Sequence, residues 1–272
     1  MAVFSSRGPT TPGGQIKPDV VAPGTNILSV RSTNLDQRKE STLRLDPTDT
    51  KHQWQFMDGT SMATPLVAGC VAVLREALRD VHKRIEPSSA LIKALIVNGA
   101  EPLNPTDTPN NNSGFGRVNM VNTLKQVERQ PSPPLAGFDE RFGANALRHG
   151  TSATGARLDR FSLDITVPPP AAGHTNTLAV TLVWPDPSGE RLQHFLELSV
   201  SHGDEKRFWG VLQRQNNVQQ IKWANAPAGV YHVLVEALQI LPQPPQAPPP
   251  AAGAEQKLPA FQPFAYAWRI FN

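Results

Sequence analysis

The hydrophobic pattern changes period partway along the chain. In residues 1–129 the apolar runs are short and alternate between strand-like and helix-like spacing. Residues 16–27 hold the run Val20-Val21-Ala22, closed by Pro23-Gly24, which reads as a short buried strand. From Ser61 to about Val81 the spacing predicts a helix. Its small residues Ala63, Ala68, Gly69, Cys70 and Ala72 lie around most of its circumference, and no polar face develops before Arg75. Its first turns are therefore expected to be buried. A second helix is predicted from Pro87, taken as the favoured first helical position, to about Gly99.

After the stretch Arg129-Gln130-Pro131-Ser132-Pro133-Pro134, which reads as a linker, the period becomes two. Phe161, Leu163, Ile165 and Val167 alternate with other residues at period two. So do Leu178, Val180, Leu182 and Trp184, then Leu196, Leu198 and Val200. Tyr231, Val233 and Val235 follow, and last Phe264, Tyr266, Trp268 and Ile270. Strands of this kind, separated by Gly, Pro and Asn turns, predict an all-β sandwich. The proline cluster in 241–263 cannot hold a strand ladder, because proline donates no backbone N–H. It is expected as a disordered loop between two strands. The organisation read from the pattern is an α/β part over 1–129, a linker over 130–136 and a β-sandwich over 137–272.

Composition narrows the function classes. With 272 residues and 39% apolar content the chain is long enough for a real core. Net charge is +3, from 26 Lys and Arg against 23 Asp and Glu, with no long run of one sign. Nucleic acid is therefore not an expected partner. No stretch reads as the roughly 20 consecutive apolar residues of a bilayer span, so a membrane is not expected either. The lone cysteine, Cys70, permits no internal disulfide and gives no redox signal.

The candidate chemistry sits at the start of the first helix, in Gly59-Thr60-Ser61-Met62-Ala63-Thr64-Pro65. A nucleophilic serine must stand exposed beside a fixed site for a developing oxyanion. A helix N-terminus provides this, because its first N–H groups are unpaired and its dipole is positive. Ser61 fits that position. Gly59 permits a tight turn and a close substrate backbone. Ser61 or Thr60 is expected to cap the helix, Ala63 leaves room, and Pro65 is read as lying in the first turn, where its missing N–H costs little.

Four blocks in order resemble the subtilisin-like (subtilase) serine peptidase family. They are the string in residues 2–24, the Gly59–Pro65 block, the segment E-P-S-S-A-L-I-K-A-L-I-V-N-G-A ending at Ala100, and Gly114-Phe115-Gly116-Arg117-Val118-Asn119. The resemblance implies an incomplete subtilisin-like doubly wound parallel sheet over 1–129. It further implies peptide-bond hydrolysis, a polypeptide substrate and Ser61 as nucleophile and backbone oxyanion donor. Segments of the second part, including Ala228-Gly229-Val230-Tyr231, look like the jelly-roll-type β domain of larger subtilases. Where that domain often carries N-D-L-D-L near a calcium ion, this chain has His194-Phe195-Leu196-Glu197-Leu198. One acid remains and the other is Phe195, so no metal or other cofactor is expected.

The family uses Asp, His and Ser in that chain order, with a side-chain Asn in the oxyanion hole. The first two and the Asn precede the segment with which this sequence begins. The triad Asp and His are thus expected from a missing N-terminal part of the peptidase domain, and the chain alone is expected to be inactive. A signal peptide on such a parent would make the protein extracellular. His149-Gly150-Thr151-Ser152-Ala153-Thr154-Gly155 resembles the family's histidine motif. Strand alternation begins at once after it and no D-[ST]-G follows, so it is read as a turn. Asp58 is read as a solvated loop acid, His52 and Trp54 as surface of a polar insertion, and Cys70 as a small apolar filler. The alternative function is a non-catalytic pseudo-peptidase or a β-sandwich binding module.

Overall fold

The computed structural model describes residues 1–32, 44–45, 48, 53–148, 157–208, 215–241 and 261–272. The N-terminal part mixes short strands with helices, α/β in the coarse sense. Strands β1 (Ile27–Val30), β2 (Arg44–Leu45) and β3 (Trp54–Met57) form an antiparallel sheet in the order β1-β3-β2. The expected doubly wound parallel sheet is not what the described residues form. Their parallel pairing is the single bridge Val21↔Arg117, because the Val20-Val21-Ala22 run has no longer strand to lie against.

Helix α1 (Thr60–His82) follows β3, and α2 (Ser89–Gly99) follows a left-handed turn at Lys83. Ser88 caps α2 by accepting from the Leu91 N–H at 3.1 Å, so Pro87 precedes the cap and is not the first helical residue. A short α3 (Met120–Lys125), unforeseen in the pattern, starts at Asn119, whose side chain accepts from the Asn122 N–H.

The two helices fare differently. In α2, nine of eleven residues are buried; in α1 only Leu74 and Leu78 are. The expectation that the first turns of α1 are buried is overturned. Leu66 and Val73 stand 43% and 48% exposed, because the described residues bring nothing against that face. Among those residues α1 is also the helix long and apolar enough to cross a membrane, by length and composition alone. Its scattered Thr, Ser and Arg75 hid this from the search for an unbroken apolar run.

The C-terminal part forms two four-stranded antiparallel sheets. One has the order β4 (Ala136–Arg141), β11 (Phe264–Phe271), β6 (Asn176–Val183), β9 (Val218–Ala226). The other has β5 (Arg160–Val167), β10 (Gly229–Gln239), β7 (Phe195–His202), β8 (Glu205–Phe208). Period-two alternation sends Ile165, Leu198, Val200, Tyr231, Val233 and Val235 toward Leu178, Val180, Trp223, Phe264 and Trp268, and these make one core.

The other face of the first sheet is also covered. Ala265, Ala267, Val183 and Val218 join Leu91, Leu95 and Ile96 of α2 in a second core. The residues there are small on β11 because a helix must approach. A buried polar cluster locks this contact. Asn98 donates to Gln126 Oε1 at 2.8 Å and accepts from Thr181 Oγ1 at 3.0 Å; Gln220 donates to Thr181 Oγ1 at 3.0 Å. Arg84 bridges from the end of α1 to Asp139 (2.6 Å) and Glu140 (3.1 Å) on β4. Of the loop expected over 241–263, residues 242–260 lie outside the described residues. At its end Gln262 is buried, and its backbone pairs in both directions with Leu147.

Candidate active site around Ser61

The turn that presents Ser61 is built by three local devices. Strand β3 runs antiparallel to β1, pairing Met57 with Ile27, and delivers the chain to Asp58-Gly59. The Gly59 N–H donates to the Gly24 carbonyl at 2.7 Å. A Cβ on Gly24 would stand 2.8 Å from the Gly59 carbonyl oxygen, so the Pro23-Gly24 close of the apolar run serves as the bed of the turn. Asp58 accepts from the Asn26 N–H, with Asn26 in a left-handed conformation at φ 57°. Asp58 is an exposed loop acid that also ties down this turn.

Gly59 is the N-cap, and no side chain caps α1. The expectation that Ser61 or Thr60 caps it is therefore corrected. The consequence favours chemistry. The Ser61 N–H is second in the helix, with no carbonyl one turn behind it, and the helix dipole points its positive end there. Pro65 is corrected as well. It is the sixth helical residue, where its amide would have bonded the Ser61 carbonyl, so that carbonyl loses its intrahelical donor. The Thr64 hydroxyl donates to the Thr60 carbonyl at 3.0 Å and steadies the same turn.

Ser61 is exposed, while Met62 and Ala63 are half-buried. A groove of about 470 Å³ runs beside the turn, lined by Gly59, Thr60, Ala63, Val67 and the segment Pro23-Gly24-Thr25, among others. Among the described residues no histidine lines the groove beside Ser61. His82 bonds the Val127 carbonyl at 2.7 Å, buried His194 bonds the Gln262 side chain, and His202 bonds the Val230 carbonyl at 3.0 Å. His232 pairs with Asp164 at 2.7 Å on the outer sheet. His52 and the motif at 149–155 lie outside the described residues. Trp54 is exposed on β3, and Cys70 is half-buried and unpaired on α1.

No group of three or more His, Cys, Asp and Glu side chains gathers among the described residues. In the His194–Leu198 stretch, Phe195 packs on the inter-sheet core.

One acid near the site is held strongly. Asp19 is desolvated, which raises its pKa, but Lys93 and Lys17 at 3.1 and 2.9 Å more than offset this and hold it below the ordinary value. This pair ties the segment before Val20 to α2.

Comparison with known proteins gives the family. Residues 1–116 match the model of the subtilase family of peptidases. The chain is 30% identical over 253 residues to serine protease/ABC transporter B family protein tagB of Dictyostelium discoideum, covering 75% of this chain and 13% of that protein. It is 38% identical over 126 residues to serine protease AprX of Bacillus subtilis, covering 46% and 25%. It is 38% identical over 128 residues to minor extracellular protease Vpr of the same organism, covering 46% and 14%. The chain thus spans a quarter or less of the length of these relatives. With Ser61 raised on the uncapped start of α1 inside the matched segment, the chain belongs to the subtilase family of serine proteases.

Proposed function

We propose that the chain is the nucleophile-bearing part of a subtilisin-like serine endopeptidase, completed by a peptidase-domain segment that supplies the triad Asp and His. One observation carries this reading: Ser61 stands exposed on the second residue of a 23-residue helix whose first amides no side chain caps. In the reaction the Ser61 Oγ attacks the scissile carbonyl carbon. Its proton passes to the histidine of the completing segment, and the Ser61 N–H donates to the oxyanion. The histidine then protonates the departing amine, and water hydrolyses the acyl-enzyme.

The uncovered apolar face of α1 supports the completing segment. Leu66, Val73 and Val81 are exposed, and so are Val3, Phe4, Leu28 and Val30 in the same part. Exposed apolar surface of this extent calls for a covering layer, and a layer that also brings the Asp and His accounts for both gaps. The paired sheets form a jelly-roll-type domain bracing α2 from behind. The substrate is polypeptide.

The test is Ser61→Ala in a polypeptide that contains this chain together with the completing segment, assayed on casein. The expected loss in kcat is about 10⁶-fold, since triad members act as a unit. Unchanged hydrolysis would overturn the assignment of Ser61 and favour a non-catalytic role for this part.

A further inference from the structure

The second site lies where α2 ends on the first sheet. The register there aligns side chains in rows on one face. The row Ala267, Thr181, Gln220 lies beneath α2, with Gln220 reaching the Val97 carbonyl at 3.3 Å. The next row is Arg269, Ala179, Lys222. Because α2 stops at Gly99, this row emerges from beneath the helix into an open cavity of about 1130 Å³. The cavity floor continues with Thr177, opposite Phe271, and with Ala224.

The row holds two cations separated by one alanine. Arg269 is 92% buried, being 8% exposed. It spends its Nε–H on the Asn98 carbonyl at 2.7 Å and lies over the Phe271 ring. Its terminal nitrogens and the Lys222 ammonium have no hydrogen-bond or ion-pair partner among the described residues. Lys125 and Arg129 add two further unpaired cations on the rim. Of the acids lining the cavity, Glu101 is bound to Arg117 at 2.8 Å, which leaves Glu128 and the carboxylate of Asn272. Cations exceed free acids even on that count.

Burial without a counter-charge is unfavourable for any cation, and both floor residues register it. Desolvation and then Arg269 push the Lys222 pKa down to about 8, and desolvation pushes Arg269 down to about 10. Arg269 and Lys222 therefore sit close enough to repel one another. A ligand bearing two negative charges on oxygen would relieve both, with the Thr177 hydroxyl as a neutral donor between them.

We propose that this cavity binds a small oxyanionic ligand with two negative charges, of phosphate or dicarboxylate type, gripped between Arg269 and Lys222. The site is independent of Ser61 and of the peptidase reading.

The test is calorimetric titration of the full chain with sodium sulfate, which keeps its charge at every pH used, and in separate arms with inorganic phosphate and with succinate. Saturable binding of sulfate with Kd below roughly 1 mM is expected. The stronger of the other two ligands identifies the source of the charge. Lys222→Gln should weaken binding about tenfold or more, and Arg129→Gln on the rim about threefold. Circular dichroism checks that each variant is folded, and Arg269→Lys, which keeps the charge and loses the fork, provides a second floor variant.

Sulfate favours the charged Lys222, so binding should take up protons above pH 8 and almost none at pH 6.5. This shows as a buffer-dependent heat that Lys222→Gln removes. The other charged groups lining the cavity with Lys222 are Arg269, Lys125, Arg129, Glu128, Glu101 and the carboxylate of Asn272. Absence of saturable binding in all three arms, or equal affinity and equal proton uptake in Lys222→Gln, would overturn the proposal.

Discussion

Replacing Asn98 by alanine should loosen the whole molecule, not only the helix that carries it. Asn98 is fully buried, donates to Gln126 at 2.8 Å and accepts from Thr181 at 3.0 Å. Truncation deletes two hydrogen bonds, each about 1 kcal/mol net, and strands the Gln126 carbonyl oxygen at about 1–3 kcal/mol more. The expected loss is about 3–5 kcal/mol, a large share of a typical domain's stability. Urea unfolding followed by tryptophan fluorescence is the assay, because Trp184, Trp223 and Trp268 are buried between the sheets and not in α2. If α2 and the sheets share one core, the fluorescence midpoint falls with the far-ultraviolet signal. Thr181→Val in the same background should then show a coupling of about 0.5–3 kcal/mol with Asn98→Ala. A fluorescence transition that stays within about 0.5 kcal/mol of the parent, while helical signal melts earlier, would refute the shared core.

Leu95→Ala, in the fully buried core of α2, should cost about 2–5 kcal/mol by urea unfolding, whereas Leu66→Ser on the exposed face of α1 should stay within about 0.5 kcal/mol. Asp19→Asn should lower stability at pH 7 by about 1–3 kcal/mol. Because the folded pKa of Asp19 is depressed, its contribution is present above the ordinary carboxylate value and is lost as pH falls through the lower folded value. The variant should accordingly lose less stability than the parent between pH 5 and pH 2. Gly24→Ala should push the Gly59 carbonyl off its bed, since the new Cβ would lie 2.8 Å from that oxygen. In a completed peptidase it should lower kcat far more than KM, and an unchanged kcat would show that the turn does not depend on this contact.

The strands of the second part were legible because one face of each packs on the other sheet, which imposes period two on Leu178, Val180 and Leu182 and on Phe264, Tyr266 and Trp268. Strand β9 was not, because polar Gln219, Gln220 and Lys222 interrupt its apolar Val218, Ile221 and Trp223, and their side chains bond or reach a cavity. The short β8, charged at three of four positions, and β4, charged at three of six, gave no signal either. On α1, small residues all round the helix read as burial, yet packing partners and not composition decide burial, and among the described residues none stands on that face. The same limit hid the Arg269–Lys222 row, since only strand register brings two residues 47 positions apart in sequence onto one line. At the candidate site, the helix start that exposes Ser61 was readable from its block, and Gly59 from its place in the turn. The bed at Gly24 was visible only as the end of an apolar run. The cap at Gly59 and the second-turn place of Pro65 depended on where the helix starts, which sequence pattern fixes poorly.

The central proposal is that Ser61 is a peptidase nucleophile activated by an Asp and a His from a completing segment. A fluorophosphonate probe, with the adduct located by mass spectrometry, tests it most directly. The chain alone should give no adduct on Ser61 above the background of exposed serines, and a longer polypeptide that supplies the Asp and His should give stoichiometric adduct there. Rapid labelling of Ser61 in the chain alone, at the rate of an intact serine peptidase, would contradict the account.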